Sequence, residues 1–168
     1  MSGQGRVIRA IAVALLACAA AHAQGVAGPM KAVDTGLGFS ISVPDGWTKG
    51  QPYKNNKFVM GAGDDDFSVI VADFGPAQPD AAQALAVYRE SFARNGLTLV
   101  TERTVEGRGA AATQYVFTLE TPDGPGHAEG VLVQAADEVY MVLVVTPAAA
   151  FEPRRATIAK ILESVTVR

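Results

Sequence analysis

The sequence predicts an α+β domain built on an antiparallel sheet, and three features of its pattern point there. Residues 39–43, Phe-Ser-Ile-Ser-Val, alternate apolar and polar with the two-residue period of a half-buried strand. Residues 80–96 place apolar side chains at helical spacing between an Asp and an Asn-Gly pair. Between 97 and 146, four strand-like runs follow one another over short links, a meander whose neighbours pair antiparallel.

Before that domain lies a segment of another kind. Arg6 and Arg9 give the first residues a positive charge, and residues 10–20 form an apolar run. That run is too short for a bilayer, which takes about 20 helical residues. Ala21-His22-Ala23 then offers small residues at the −3 and −1 positions of an export-signal cleavage site. Residues 1–23 therefore read as a signal peptide, with Gln24 as the mature start and a periplasmic or secreted address. A second cut is open. Leu15-Leu16-Ala17-Cys18 resembles a bacterial lipobox, in which Cys18 would be lipidated and anchor the chain. The apolar residues that continue through Ala21, and the Ala-x-Ala site after them, favour release of a soluble chain.

Composition narrows the function. The whole chain carries a net charge of −3. Loss of Arg6 and Arg9 with the leader leaves twelve basic against 17 acidic side chains, a net charge of −5. An acidic domain has no general electrostatic attraction for nucleic acid or an anionic membrane surface. Cys18 is the only cysteine, so a chain cut after Ala23 has none. A domain of this size needs no disulfide.

Along the mature chain, residues 24–38 are rich in Gly, Pro and small side chains and read as a flexible tether to a single domain at 39–168. The strand at 39–43 ends in a Pro44-Asp45-Gly46 turn followed by Trp47. Residues 58–60 suit a short strand. The run 67–74 is apolar on both alternating faces, which places it inside a sheet covered on both sides. Asp80 caps a helix reaching Arg94, with Ala81, Leu85, Tyr88 and Phe92 as its stripe, and Asn95-Gly96 ends it. Strands follow at 97–106, 113–121, 130–135 and 139–146, the last apolar on both faces. A turn is expected at 122–126 and a tight link at Asp137-Glu138. From Pro153 the chain is helical, with Ile158, Ile161, Leu162 and Val165 facing inward.

Two stretches carry a resemblance. Phe39-Ser40-Ile41-Ser42-Val43-Pro44-Asp45-Gly46-Trp47 resembles the F-S-I-x-x-P-x-G-W entry of the PsbP-like proteins, which include DcrB-type envelope proteins. Ile161-Leu162-Glu163-Ser164-Val165 is similar to the I-L-x-S-F end of the same group. The resemblance implies an α-β-α sandwich, an antiparallel sheet flanked by helices. It also implies non-enzymatic work, since the group contains a photosystem II accessory subunit, a nuclear-transport partner and exported proteins of ill-defined role. The matched positions are core and turn residues, so no functional residue carries over.

Residues with chemistry to offer are few. Asp64-Asp65-Asp66 could meet a hard cation, but consecutive carboxylates diverge where calcium loops space their ligands at alternate positions. A solvated hairpin tip fits them better. His127 is the one histidine after the leader. No Gly-x-Ser-x-Gly elbow accompanies it, and one histidine without cysteine cannot build the usual zinc sets. It reads as an exposed strand-end residue. Lys49, Lys54 and Lys57 with Tyr53 form a basic aromatic loop beside Trp47. Such a loop suits an acidic partner or a glycan phosphate, although a merely solvated loop has the same composition. The expectation is a monomeric envelope binding or accessory protein without catalysis, metal or cofactor. Its partner is an unidentified envelope protein or small ligand, met through Trp47, Lys49, Tyr53, Lys54 and Lys57. The rival is a hydrolase using carboxylates at 64–66 with Glu102 or Glu120, since a carboxylate pair can cleave glycosides without histidine.

Overall fold

The alternating segment becomes strand β2 (Phe39–Pro44), with Phe39, Ile41 and Val43 almost fully buried. The computed structural model describes residues 28–52, 54–63, 67–78, 80–105, 112–121 and 123–168. Around β2 the described elements are β1 (Met30–Asp34), β3 (Thr48–Lys49), β4 (Asn56–Gly61), β5 (Ser68–Pro76), α1 (Ala81–Arg94), β6 (Thr98–Val105) and β7 (Ala112–Thr121). They continue with β8 (Gly124–Ala135), β9 (Glu138–Pro147), a 3₁₀ turn at Ala148–Ala150, α2 (Phe151–Glu163) and β10 (Thr166–Val167). Seven strands form one antiparallel sheet in the order β3-β4-β5-β9-β8-β7-β6. A second sheet has the order β1-β2-β10. No helix among the described residues is long and apolar enough to cross a membrane.

Strands β5 and β9 are apolar on both faces because both faces are covered. Val69, Val71, Val142 and Val144 pack with β2 and α2. Met141 and Leu143 point the other way, into the core beneath α1. On the first face Ile158, Ile161 and Leu162 of α2 meet Phe39, Ile41 and Val43, so small sheet and helix form one layer. Ser164 locks that layer: its hydroxyl accepts the Ser42 N–H at 2.7 Å and donates to the Ile161 carbonyl at 2.6 Å. The serine of the closing motif thus ties the end of α2 to the opening strand. Arg168 reaches back to Asp34 at 2.7 Å. The Gly36 N–H and then the Arg168 side chain hold the Asp34 carboxyl below its usual range.

The other face carries α1 alone. Asp80 Oδ1 accepts the Gln83 N–H at 3.2 Å, the expected N-cap. At the far end Gly96 turns left-handed, φ 74°. The N–H groups of Leu97 and Gly96 return to the carbonyls of Phe92 and Ala93, each at 3.0 Å, a Schellman closure. Ala84, Tyr88 and Phe92 point into the sheet. The Phe92 ring lies 4.8 Å from Phe117, 5.3 Å from Tyr115 and 5.7 Å from Phe74. Strand β8 presents Gly126, Ala128 and Gly130, in register with Leu119, Phe117 and Tyr115 of β7. A Cβ on Gly130 would meet Met141 Sδ and the Val142 carbonyl at 2.8 Å.

Three expectations shift. Within the stretch read as a tether, residues 30–34 form β1, paired along its whole length with β2. Met-Lys-Ala-Val-Asp lacks the strict alternation of β2, and its strand character is revealed by the partner strand. The expected turn at 122–126 is shorter, because β8 begins at Gly124, opposite Thr121. Gly126 looks like a breaker but serves as a strand residue whose missing Cβ leaves space for Leu119, 2.9 Å from where that atom would lie. The β8–β9 link is Ala136-Asp137, one residue earlier than expected, with Ala136 at φ 54°.

Phe92→Ala should lower unfolding stability by about 3–5 kcal/mol in chemical denaturation, the cost of a cavity at a buried aromatic. Ser164→Ala should lose about 1–3 kcal/mol, because it strands the Ser42 N–H. Asp34 has a lowered folded-state pKa, so its contribution is complete above the unfolded value and lost as pH falls through the folded one. The protection factors of the β10 amides, corrected for intrinsic exchange, should therefore fall selectively in acid.

Candidate functional site

A seven-stranded sheet is roughly 30 Å wide at about 4.8 Å per strand, while a helix with its side chains covers only about 10 Å. On the first face, α2 shares the work with the three-stranded sheet. On the second, α1 is alone among the described residues, and its buried side chains gather over β7, β8 and β9. Beside its C-terminal end a groove of about 530 Å³ stays open. Its floor and walls are apolar, formed by Ile70, Ala72, Leu119, Met141, Leu143 and Val145. Its mouth is polar, with Lys54, Asn55 and Asn56 on one lip and Arg94 and Asn95 on the other.

The first lip is built firmly. Asn55 accepts the Asp73 N–H at 3.1 Å through its carbonyl and sends its side-chain amide to the Asp73 carbonyl at 3.4 Å. Lys57 pairs with the Asp73 carboxylate at 3.3 Å. These ties hold Lys54 at φ 56°, a left-handed conformation unfavourable for a residue with a Cβ. Arg94, on the second lip, donates to Ser91 Oγ at 3.1 Å.

The residues singled out from the sequence separate. Lys54 lines the groove. Trp47 packs edge-on against Phe67 at 4.9 Å, on the sheet face that α2 covers. Lys49 sits over the Phe58 ring at 5.8 Å. Lys57 is spent on Asp73. Tyr53, Cys18 and Asp64 to Asp66 lie outside the described residues. Of the rival's remaining carboxylates, Glu102 pairs with Arg89 at 3.5 Å and Glu120 is exposed. Among the described residues no three His, Cys, Asp or Glu side chains gather as a metal site.

Sequence reasoning missed a polar cluster on the α2 face, across β6, β7 and β8. Glu129 is only 8% exposed at its side chain. It accepts Gln114 Nε2 at 2.6 Å, lies 3.3 Å from His127 Nε2 and 3.6 Å from Arg103 Nη2. Arg103 Nε donates in turn to Gln114 Oε1 at 3.2 Å. His127, expected to be exposed, is 15% exposed at its side chain and stacks on Phe151 of α2 at 3.6 Å. Its spacing of two from Glu129 was the available signal; burial by Phe151 was not readable. No buried side-chain polar atom among the described residues lacks a partner. The cluster is internally paired, and among the described residues the imidazole's side-chain partner is Glu129.

An antiparallel sheet with a lone helix on one face, and a helix with a small sheet on the other, is the PsbP-like α+β fold. The solution structure of cyanobacterial PsbP (CyanoP) from Synechocystis sp. PCC 6803 superposes with a TM-score of 0.65 at 14% identity, covering 86% of this chain and 95% of that one. LpqN, involved in cell envelope biogenesis of Mycobacterium tuberculosis, gives 0.51 at 13% identity, with 84% and 87% covered. A Pseudomonas aeruginosa protein of unknown function gives 0.50 at 15% identity, with 84% and 99% covered. At such identities the likeness is one of fold. Residues 31–167 match the family described as the serine/threonine kinase C-terminal domain, and the chain belongs to that family. Against the curated proteins the sequence has no match.

Glu129→Ala should destabilise by about 1–3 kcal/mol, since it leaves the buried Gln114 amide unsatisfied. Arg103→Ala should cost less, because the arginine side chain is 59% exposed and its pairing is screened by water. Urea titration of the two variants checks the order.

Proposed function

We propose that this chain is an exported, non-catalytic accessory domain of the cell envelope that works by binding, with the groove beside α1 as its binding surface. The observation that carries this reading is the contrast between the two halves of the molecule. The buried ionisable cluster is internally satisfied, whereas an apolar stretch of sheet lines an open groove together with polar residues. Ligand sites of roughly 300–1,000 Å³ commonly have that composition. The family description, which names a domain C-terminal to a kinase, supports an accessory role. A fold neighbour involved in envelope biogenesis supports the address. The other residues singled out from the sequence, Trp47, Lys49, Tyr53 and Lys57, remain proposed contacts for an acidic partner.

Two measurements test the reading. Nile red, a neutral apolar dye, should bind the mature domain saturably at one site. Ala72→Phe, which narrows the groove floor, should weaken that binding at least tenfold while the circular dichroism stays native. Unsaturable binding, or binding indifferent to the substitution, would remove the groove from the proposal. For the address, intact mass of the chain recovered from a bacterial host should correspond to a start at Gln24. A lipidated Cys18 would establish the anchored form instead, and an uncleaved leader in the cytoplasm would sink export altogether.

A further inference from the structure

Taking the groove as the binding surface, we infer that its ligand is a single-chain anionic amphiphile: an alkyl chain carrying a carboxylate, the chain lying on Ala72, Leu143 and Val145 and the head group at Lys54 and Arg94. Size and lining favour an alkyl chain, since the groove of about 530 Å³ is lined by Ile70, Ala72, Leu119, Met141, Leu143 and Val145 with polar residues beside them. Charge favours an anion. Among the described residues, two cations and no acidic side chain line the groove, in a chain whose net charge is −3. The mouth is thus a local reversal of the protein's overall sign. Asn56 adds a side-chain amide beside those cations, while the amides of Asn55 and Asn95 donate to the carbonyls of Asp73 and Ser91.

One feature opposes an anion: the C-terminal end of a helix is its negative pole. Here that pole is muted. The carbonyls of Ser91, Phe92 and Ala93 are occupied by the N–H groups of Asn95, Leu97 and Gly96, and Arg94 sits in the last turn. Lys54 contributes from the opposite lip, held in a conformation that its own backbone disfavours. Such strained positions recur at ligand clamps, where the surrounding structure enforces them.

The test is displacement of Nile red from the mature domain by decanoate, dodecanoate, dodecanol and dodecyltrimethylammonium, each below its aggregation concentration. Each added methylene should tighten binding roughly fourfold, so dodecanoate should exceed decanoate by about fifteenfold. Dodecanoate should also bind about fivefold tighter than dodecanol at low salt, an advantage that shrinks as salt screens the mouth. Lys54→Gly should abolish most of that advantage while leaving dodecanol unaffected. It should not unfold the domain, because glycine accepts φ 56° more readily than lysine does. Equal binding of dodecanoate and dodecanol, or preference for the cationic detergent, would overturn the anionic head group. Failure of every alkyl compound to displace a dye that remains sensitive to Ala72→Phe would overturn the ligand class and leave the groove reading standing. Loss of dye binding itself would count against the groove.

Discussion

Strand β9 must be apolar on both sides, and the rest of the architecture follows from that demand. It pairs with β5 on one edge and β8 on the other, joining the hairpins of the first half of the chain to the meander of the second. Val142 and Val144 require cover on one face, Met141 and Leu143 on the other. Neither face can be left to water over that strand, so a layer must form above and below it.

The two layers are unequal, and the inequality has a structural cause. Above one face the chain spends α2 together with strands drawn from both ends of the domain. Ser164 and the Asp34–Arg168 pair close that layer. Above the other, among the described residues, it spends a single helix of 14 residues, anchored by an aromatic cluster over strands that include the small residues Gly126, Ala128 and Gly130 of β8. Helix α1 secures β7 to β9 and leaves the sheet beside its end open. The groove is therefore a consequence of coverage, and its polar mouth comes from the segments that border it.

The buried Glu129 cluster answers a different problem. The α2 layer does not extend to the β6–β7 wing, where Arg103 and Gln114 lie. A carboxylate satisfied by Gln114, with His127 and Arg103 beside it, fills that margin without an unpaired polar atom. Its tight pairing makes it structural, although a histidine two residues from a glutamate first looks like chemistry. The lysines divide in the same manner. Lys57 pairs with Asp73, and Lys54 lines the groove.

Much of this was legible in the residues alone. Alternation at 39–43, two-sided apolarity at 67–74 and 139–146, and the Asp80 and Asn95-Gly96 signals each follow from local spacing and backbone preference, which hold wherever the segment is placed. Strand β1, the strand role of Gly126 and the one-residue shift of the last hairpin were hidden, because each depends on what the partner strand presents. The groove was hidden for a stronger reason. No residue in it is unusual in sequence; Ile70, Leu119 and Val145 read as ordinary core. Only the arrangement of layers decides which apolar side chains a helix covers and which it leaves at a basic mouth, and that is a property of coverage across the whole sheet.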